Sequence, residues 1–291
     1  MLSKLIDGKK LAKNLLQEVS RVTLFLKSTY DIVPHLAIVI VGNDPASALY
    51  VRNKINKARE VGIQTTLCQK DMDCSYDDLM SLLKKLNDDR KIHGVIVQLP
   101  LPSSLCAHSI SKAIAPCKDV DGLNPVNVGL LTKNNEDAFI PCTPLGCLRL
   151  ITSVSSVKGK HVVVVGRSNI VGRPLASLLL NYDATVTICH SKTANLANVT
   201  KSGDIVIVAT GIPNRFGKEY FSRGSTVIDV GISRVGDVFV GDVDFQDVNG
   251  YISTITPVPG GVGPMTVAFL LANTVKSACL HVKDNSYKVF Y

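Results

Sequence analysis

Tyr50 and Lys54 lie in the stretch Tyr-Val-Arg-Asn-Lys, four residues apart. On a helix, positions i and i+4 share one face, so a phenol and an amine could work on the same substrate as proton donors or acceptors. Val51, Ile55 and Ala58 supply the buried stripe of that helix. Periodicity alone leaves a second reading open, a solvated lysine on an amphipathic surface. Gln98 closes the apolar run Val95-Ile96-Val97. Ligands of parallel sheets sit beyond the carboxyl ends of strands. Gln98 therefore either faces a site or is a hydrogen-bonded strand end. Asp119 and Asp121 precede Gly122. Two acids with no further ligands make a poor cation site, and the other reading is a turn-capping aspartate. No metal is expected.

A different chemistry is written at residues 161–174. Four valines lead into Gly166-Arg-Ser-Asn-Ile-Val-Gly172-Arg-Pro. A buried strand, a glycine turn and a helix start in that order form a dinucleotide-binding unit, with the helix N-terminus facing the pyrophosphate. The spacing is G-x-S-x-x-x-G, with Ser168 where the usual fingerprint has its middle glycine. An ordinary strand-to-helix turn is the alternative reading. The apolar run Ile205 to Ala209, followed by Thr210 and Gly211, reads as a further strand ending beside the same crevice. An NAD site usually carries Asp or Glu about 20 residues past the turn. Here the second strand ends in His190-Ser191-Lys192, without a carboxylate. Hydroxyl and positive groups, with Arg167 and Arg173 in the turn, suit a 2′-phosphate, so NADP is expected over NAD.

The elements that must hold these residues alternate between strand and helix. Strands are predicted over 35–41, 63–68 and 94–98, with helices over 46–61 and after Ser75, where Ser75 caps and Asp78 follows three residues on. Residues 116–145 are punctuated by proline and glycine and read as a connection with its own loops. Thr143 as N-cap and Pro144 at the first helical position open a helix through 151. A second unit follows, with strands over 161–165, 184–189, 204–209 and 226–230 and helices over 172–181 and 196–201. A last helix over 266–280 is expected to pack back on the first domain. The N-terminus shows helical amphipathicity at Leu11, Leu15, Val19, Val22 and Leu26. The rhythm implies an α/β fold with a mostly parallel sheet covered by helices.

Composition bounds the rest. The chain has 291 residues, 46% hydrophobic and 19% charged, which suits two globular domains and excludes a disordered chain. Its formal charge of +8 reads either as a solvated basic surface or as provision for an anionic ligand. No run of five basic residues and no tryptophan appear, so no nucleic-acid partner is expected. No apolar stretch reaches membrane-spanning length. Asp7 and Glu18 argue against a transit peptide. The 8 scattered cysteines make no C-x-x-C pair and imply a reducing, cytoplasmic setting.

Taken together, the motifs resemble the bifunctional methylenetetrahydrofolate dehydrogenase/cyclohydrolases. The matching segments are Tyr50 to Lys54 with Lys57-Ala58, Gln98-Leu-Pro-Leu-Pro102, and Lys118-Asp-Val-Asp121-Gly-Leu-Asn-Pro125. Pro141-Cys-Thr-Pro144-Leu-Gly146, the Gly166 turn, and Pro257-Val-Pro-Gly-Gly-Val-Gly-Pro-Met-Thr266 complete the set. The resemblance implies a two-domain α/β subunit with a cleft between an N-terminal α/β domain (1–140 plus 266–291) and a Rossmann-like NADP-binding domain (141–265). It implies oxidation of 5,10-methylenetetrahydrofolate to the methenyl cation and hydrolysis of that cation to 10-formyltetrahydrofolate, within purine biosynthesis and by a homodimer. A dehydrogenase-only relative using NAD is the alternative. Lys54 is then the general acid/base, Gln98 its orienting partner and Asp121 the acceptor for the pterin, while Tyr50 either lies against the folate ring or hydrogen-bonds near Lys54. Pro100, Gly260 and Gly261 line the substrate pocket. Gly166, Arg167, Ser168, Ser191 and Ile232 contact NADP. A polyglutamylated folate would suit the basic charge. Residues 282–291 carry no motif, and a partly ordered tail is expected there.

Overall fold

The computed structural model describes residues 2–291. In chain order it begins with β1 (Lys4–Leu5), α1 (Gly8–Tyr30), β2 (His35–Val41), α2 (Pro45–Glu60), β3 (Gln64–Lys70), α3 (Tyr76–Asp88) and β4 (Gly94–Val97). Next come α4 (Ala107–Ala113), α5 (Pro125–Thr132), α6 (Cys142–Thr152), β5 (His161–Val165), α7 (Gly172–Asn181), β6 (Thr185–Cys189), α8 (Leu196–Lys201) and β7 (Ile205–Val208). The chain ends with β8 (Thr226–Asp229), β9 (Ser233–Val235), β10 (Val238–Val240), α9 (Phe245–Val248), β11 (Thr254–Ile255) and α10 (Val262–His281). Three short 3₁₀ turns lie between or after these, the last at Ser286–Phe290.

The contacts divide the chain into two units. One comprises Lys13–Leu130, Glu136–Ile140 and Val267–Tyr291. Its sheet runs β3-β2-β4 with both pairings parallel. Ala37, Val39, Val95, Leu79 and Leu83 form its core, so the strands read as continuous apolar runs because both faces are covered. The other unit comprises Met1–Ala12, Leu131–Asn135 and Pro141–Thr266. Its sheet runs β1-β11-β8-β7-β5-β6, parallel throughout. Val163, Val165, Val206, Val208, Phe216 and Phe221 pack at its centre. The first residues described join this six-stranded unit because β1 pairs with β11, Lys4 beside Thr254. No helix among the described residues is long and apolar enough to cross a membrane.

Several local expectations are corrected. The connection at 116–145 contains α5, which starts at Pro125; a proline that punctuates a loop equally opens a helix, where its missing N–H is not needed. Helix α6 begins at Cys142 with Pro141 as its cap, without a capping side chain, so Thr143 is not the N-cap. Pro144 still falls in the first turn, among amides that have no intrahelical acceptor. Helix α10 starts at Val262, inside the glycine-rich stretch, rather than at 266. The tail is ordered: Tyr287 and Phe290 are buried in the three-stranded unit, and the Tyr291 hydroxyl donates to Asn273 Oδ1.

Candidate active site

Helix α2 carries Tyr50 and Lys54. Its start is fixed by Asp44, whose carboxylate accepts from Ser47 N at 2.7 Å, with Pro45 in the first turn. This is the N-cap geometry that satisfies an orphan amide. The helix therefore rises directly from the carboxyl end of β2. Lys54 Nζ donates to Gln98 Oε1 at 2.9 Å. Gln98 Nε2 donates to Leu99 O at 2.6 Å, and Gln98 N donates to Val39 O at 2.8 Å. With its NH₂ held by a carbonyl, the amide must turn its oxygen toward the lysine. The amine is thus tied by one bond to the end of β4, and half-buried. Tyr50 stands exposed one turn earlier on α2, and Pro100 is exposed after the cis Leu99–Pro100 peptide.

The aspartate pair separates into two roles. Asp119 is buried and accepts from Asn124 N at 2.7 Å, Asn127 Nδ2 at 2.8 Å and Leu123 N at 3.1 Å. Burial pushes its carboxyl up to about 6 despite these donors. Asp119 is the capping residue. Asp121 is half-buried, and among the described residues no hydrogen bond or ion pair to the protein engages its carboxylate. An isolated parallel bridge sets Asp119 beside Val95 of β4, which brings the segment alongside the strand that leads into Gln98. Gly94 permits this approach, since a Cβ there would lie 2.8 Å from a Val120 methyl. Asn273 Nδ2 donates to Val120 O at 2.8 Å and fixes the same segment from α10. Tyr50, Lys54, Gln98, Pro100 and Asp121 all belong to the three-stranded unit.

The other predicted residues belong to the six-stranded unit. Gly166 has φ +127°, and a Cβ there would meet Ala209 O at 2.3 Å. A Cβ on Gly172 would lie 2.0 Å from Gly166 O. Only glycine fits either position, which is how the backbone is brought close to a ligand and the helix close to its strand. Ser168 closes the turn instead: Val171 N donates to its Oγ at 3.2 Å, and Arg173 N donates to its carbonyl at 3.1 Å. Helix α7 has no side-chain cap, so its N-terminal end stays open to an anion. Arg173 Nε donates to Arg167 O at 3.2 Å, and both side chains are exposed. At the end of β6, Ser191 and Lys192 are exposed. Ile232 is exposed beyond β8. Because β6 and β7 flank β5 on opposite sides, the turn after β5 lies at the switch point where α/β sheets take ligands. Two observations therefore fit a dinucleotide here, a cradle that any Cβ would fill and an uncapped helix end. Gly260, with φ +115°, and Gly261 form the loop before α10; a Cβ on Gly8 would lie 1.9 Å from Gly261 O.

Sequence reasoning missed Asp242, which is fully buried beneath the loop after β7. The two aspartates of Gly241-Asp242-Val243-Asp244 offer no spacing from which the burial of the first could be read.

Two family models cover most of the chain. Residues 6–121 match the tetrahydrofolate dehydrogenase/cyclohydrolase catalytic domain, and residues 141–282 match the NAD(P)-binding domain of the same family. The bifunctional protein FolD of Rickettsia massiliae is 50% identical over 288 residues, which span 98% of this chain and 99% of that protein. The crystal structure of the bifunctional methylenetetrahydrofolate dehydrogenase/cyclohydrolase FolD from Campylobacter jejuni superposes with a TM-score of 0.92 at 45% identity, covering 95% of this chain and 98% of that one. The Trypanosoma brucei enzyme, solved with NADP cofactor and inhibitor, matches with a TM-score of 0.92 at 36% identity, covering 97% and 99%. The chain belongs to the tetrahydrofolate dehydrogenase/cyclohydrolase family.

Proposed function

We propose that this enzyme oxidises 5,10-methylenetetrahydrofolate to the 5,10-methenyl cation with NADP⁺ and hydrolyses that cation to 10-formyltetrahydrofolate. The observation that carries the reading is the Lys54–Gln98 bond of 2.9 Å at the carboxyl end of β4. It supports a lysine aimed by a neutral partner, as proton transfer to and from a substrate requires. Lys54 takes a proton from the water that adds to the methenyl carbon. It returns a proton to N5 as the C–N5 bond breaks, while the carbinol O–H releases its own proton to solvent and becomes the C=O of the formyl group left on N10. Gln98 orients the amine. Tyr50 lies against the folate ring, and the carboxylate of Asp121 accepts from the pterin amino group and ring N–H. Pro100, Gly260 and Gly261 line the substrate site.

NADP⁺, when bound, supplies the hydride acceptor. Gly166 admits its pyrophosphate, Arg167 and Ser168 of the turn contact it, and Ile232 packs on it. Ser191 receives the 2′-phosphate, with no carboxylate at 190–192 to repel it. A homodimer in the cytoplasm, acting on folates that include polyglutamylated forms, completes the reading; the charge of +8 supports an anionic substrate.

The test separates the two activities. Lys54→Met is expected to abolish hydrolysis of the methenyl compound supplied alone, while NADP⁺ binding by titration is retained. Hydrolysis at the wild-type rate in that variant would remove Lys54 from the mechanism.

A further inference from the structure

Asp242 and Asp229 are 0% and 3% exposed, and among the described residues neither pairs with a lysine or arginine. Burying a carboxylate without a cation is costly, and an apolar side chain fills space more favourably. What these two hold is specific. Asp242 Oδ2 accepts from Thr210 N at 2.6 Å, from Thr210 Oγ1 at 3.0 Å and from Gly211 N at 3.0 Å. Asp229, the last residue of β8, accepts from Asp242 N at 2.9 Å and Val243 N at 3.0 Å. One aspartate thus seats the other, and the second grips the loop after β7.

The interlock leaves no slack. A Cβ on Gly231 would lie 2.0 Å from Asp242 Oδ1, and a Cβ on Gly241 would lie 1.8 Å from Asp229 Oδ2. Asp242 Oδ1 is itself buried without a hydrogen-bond partner. Its tight seat against Gly231 fixes the start of the loop that carries Ile232. The gripped residue Thr210 follows Ala209, whose carbonyl abuts Gly166 in the dinucleotide turn. Three loops at the carboxyl ends of β5, β7 and β8 are therefore set by one buried carboxyl pair, at the edge where a parallel sheet takes its ligand.

We infer that Asp242, seated by Asp229, is a positioning residue for the dinucleotide, holding the loops at 209–212 and 230–232 in the form that NADP⁺ meets. The inference rests on the proposed placement of NADP⁺ at this edge. Three quantities test it: the NADP⁺ dissociation constant, the dehydrogenase KM for NADP⁺, and methenyl hydrolysis, which uses no NADP⁺ and reports whether the proposed substrate site survives, including Gly260 and Gly261 of the same unit as Asp242. Asp242→Leu is expected to weaken NADP⁺ about tenfold or more while hydrolysis persists, as loss of three buried hydrogen bonds to the loop implies. Asp242→Asn, which keeps an acceptor oxygen, is expected to recover most of that loss, whereas a residue that only filled space would be served as well by leucine. Thr210→Val removes one bond alone and is expected to raise KM for NADP⁺ about threefold or more. It decides the matter should the leucine variant fail to fold. NADP⁺ binding unchanged in the leucine variant, or an unchanged KM in Thr210→Val, overturns the inference alone. Wild-type protein that does not bind NADP⁺ overturns the proposed cofactor and the inference with it.

Discussion

Gln98 engages both ends of its amide, one on Lys54 and the other on Leu99 O, so rotation about its last bond would break two contacts at once. Precision of this kind comes from single atoms, and predictions about cofactor choice belong at the same scale. Ser191→Asp is expected to shift preference from NADP⁺ toward NAD⁺ because a carboxylate would repel the 2′-phosphate and accept from a 2′-hydroxyl. The ratio of the two dissociation constants checks it, and an unmoved ratio removes Ser191 from the 2′ site. His93 sets a pH dependence. Burial lowers it to about 4, and its Nδ1 accepts from His35 N at 3.2 Å, so the ring is held neutral. The unfolded chain takes up that proton near the ordinary histidine value of about 6.5. Stability therefore falls as pH drops from about 6.5 to about 4, by up to about 3 kcal/mol. Urea unfolding of His93→Gln across that window is expected to be flatter than that of the wild type. At this scale the contact between Lys54 and Gln98 was legible because their neighbours form motifs. The split between Asp119 and Asp121 was not, since burial depends on Asn124 and Asn127 coming round to meet the carboxylate.

Elements with a strong period were legible. Ala12, Leu15, Val19, Val22 and Leu26 bury one side of α1, and Leu79, Leu83 and Leu86 do the same for α3. The short elements were not. Two-residue strands such as β1 and β11 have no period to read; β1 exists by pairing with β11, and β11 by lying between β1 and β8. The same holds for the tail, where Tyr287, Phe290 and Tyr291 have meaning only against α10. There the Lys276 ammonium lies 5.5 Å from the Tyr287 ring and 5.3 Å from the Tyr291 ring, and donates to Ala138 O at 2.9 Å and Glu136 O at 3.1 Å. Phe290 is fully buried. Phe290→Ala is expected to destabilise the three-stranded unit by about 3–5 kcal/mol. Denaturant unfolding followed by probes in that unit would show it, and a loss below 1 kcal/mol would mean that the tail packs without holding.

For the whole molecule, the two units were legible as two rhythms of strand and helix, while their membership was less so. Both are assembled from discontinuous pieces of chain. A three-stranded sheet is small, and the same unit also contains most of α10, where Ala268, Phe269, Leu271, Ala272, Val275 and Ala278 are all buried. A fragment of residues 13–130 is therefore expected to remain unfolded, with no cooperative thermal transition by circular dichroism. Adding the segment 267–291 in trans is expected to restore one. A folded fragment would place the core within β2, β4 and α3 alone.

The pairing of Lys4 with Thr254 also has a meaning in time. A ribosome makes the chain from its amino end, and domains ordinarily fold in that order as they emerge. Here the sheet that begins at residue 4 cannot close its edge until residue 255 is made, and the unit that begins at residue 13 must wait for Phe290. Neither core is finished before nearly all of this chain has been translated. The parts of each core that wait for these late segments thus stay open while the chain is made, and holdase chaperones have their longest opportunity to act during that interval.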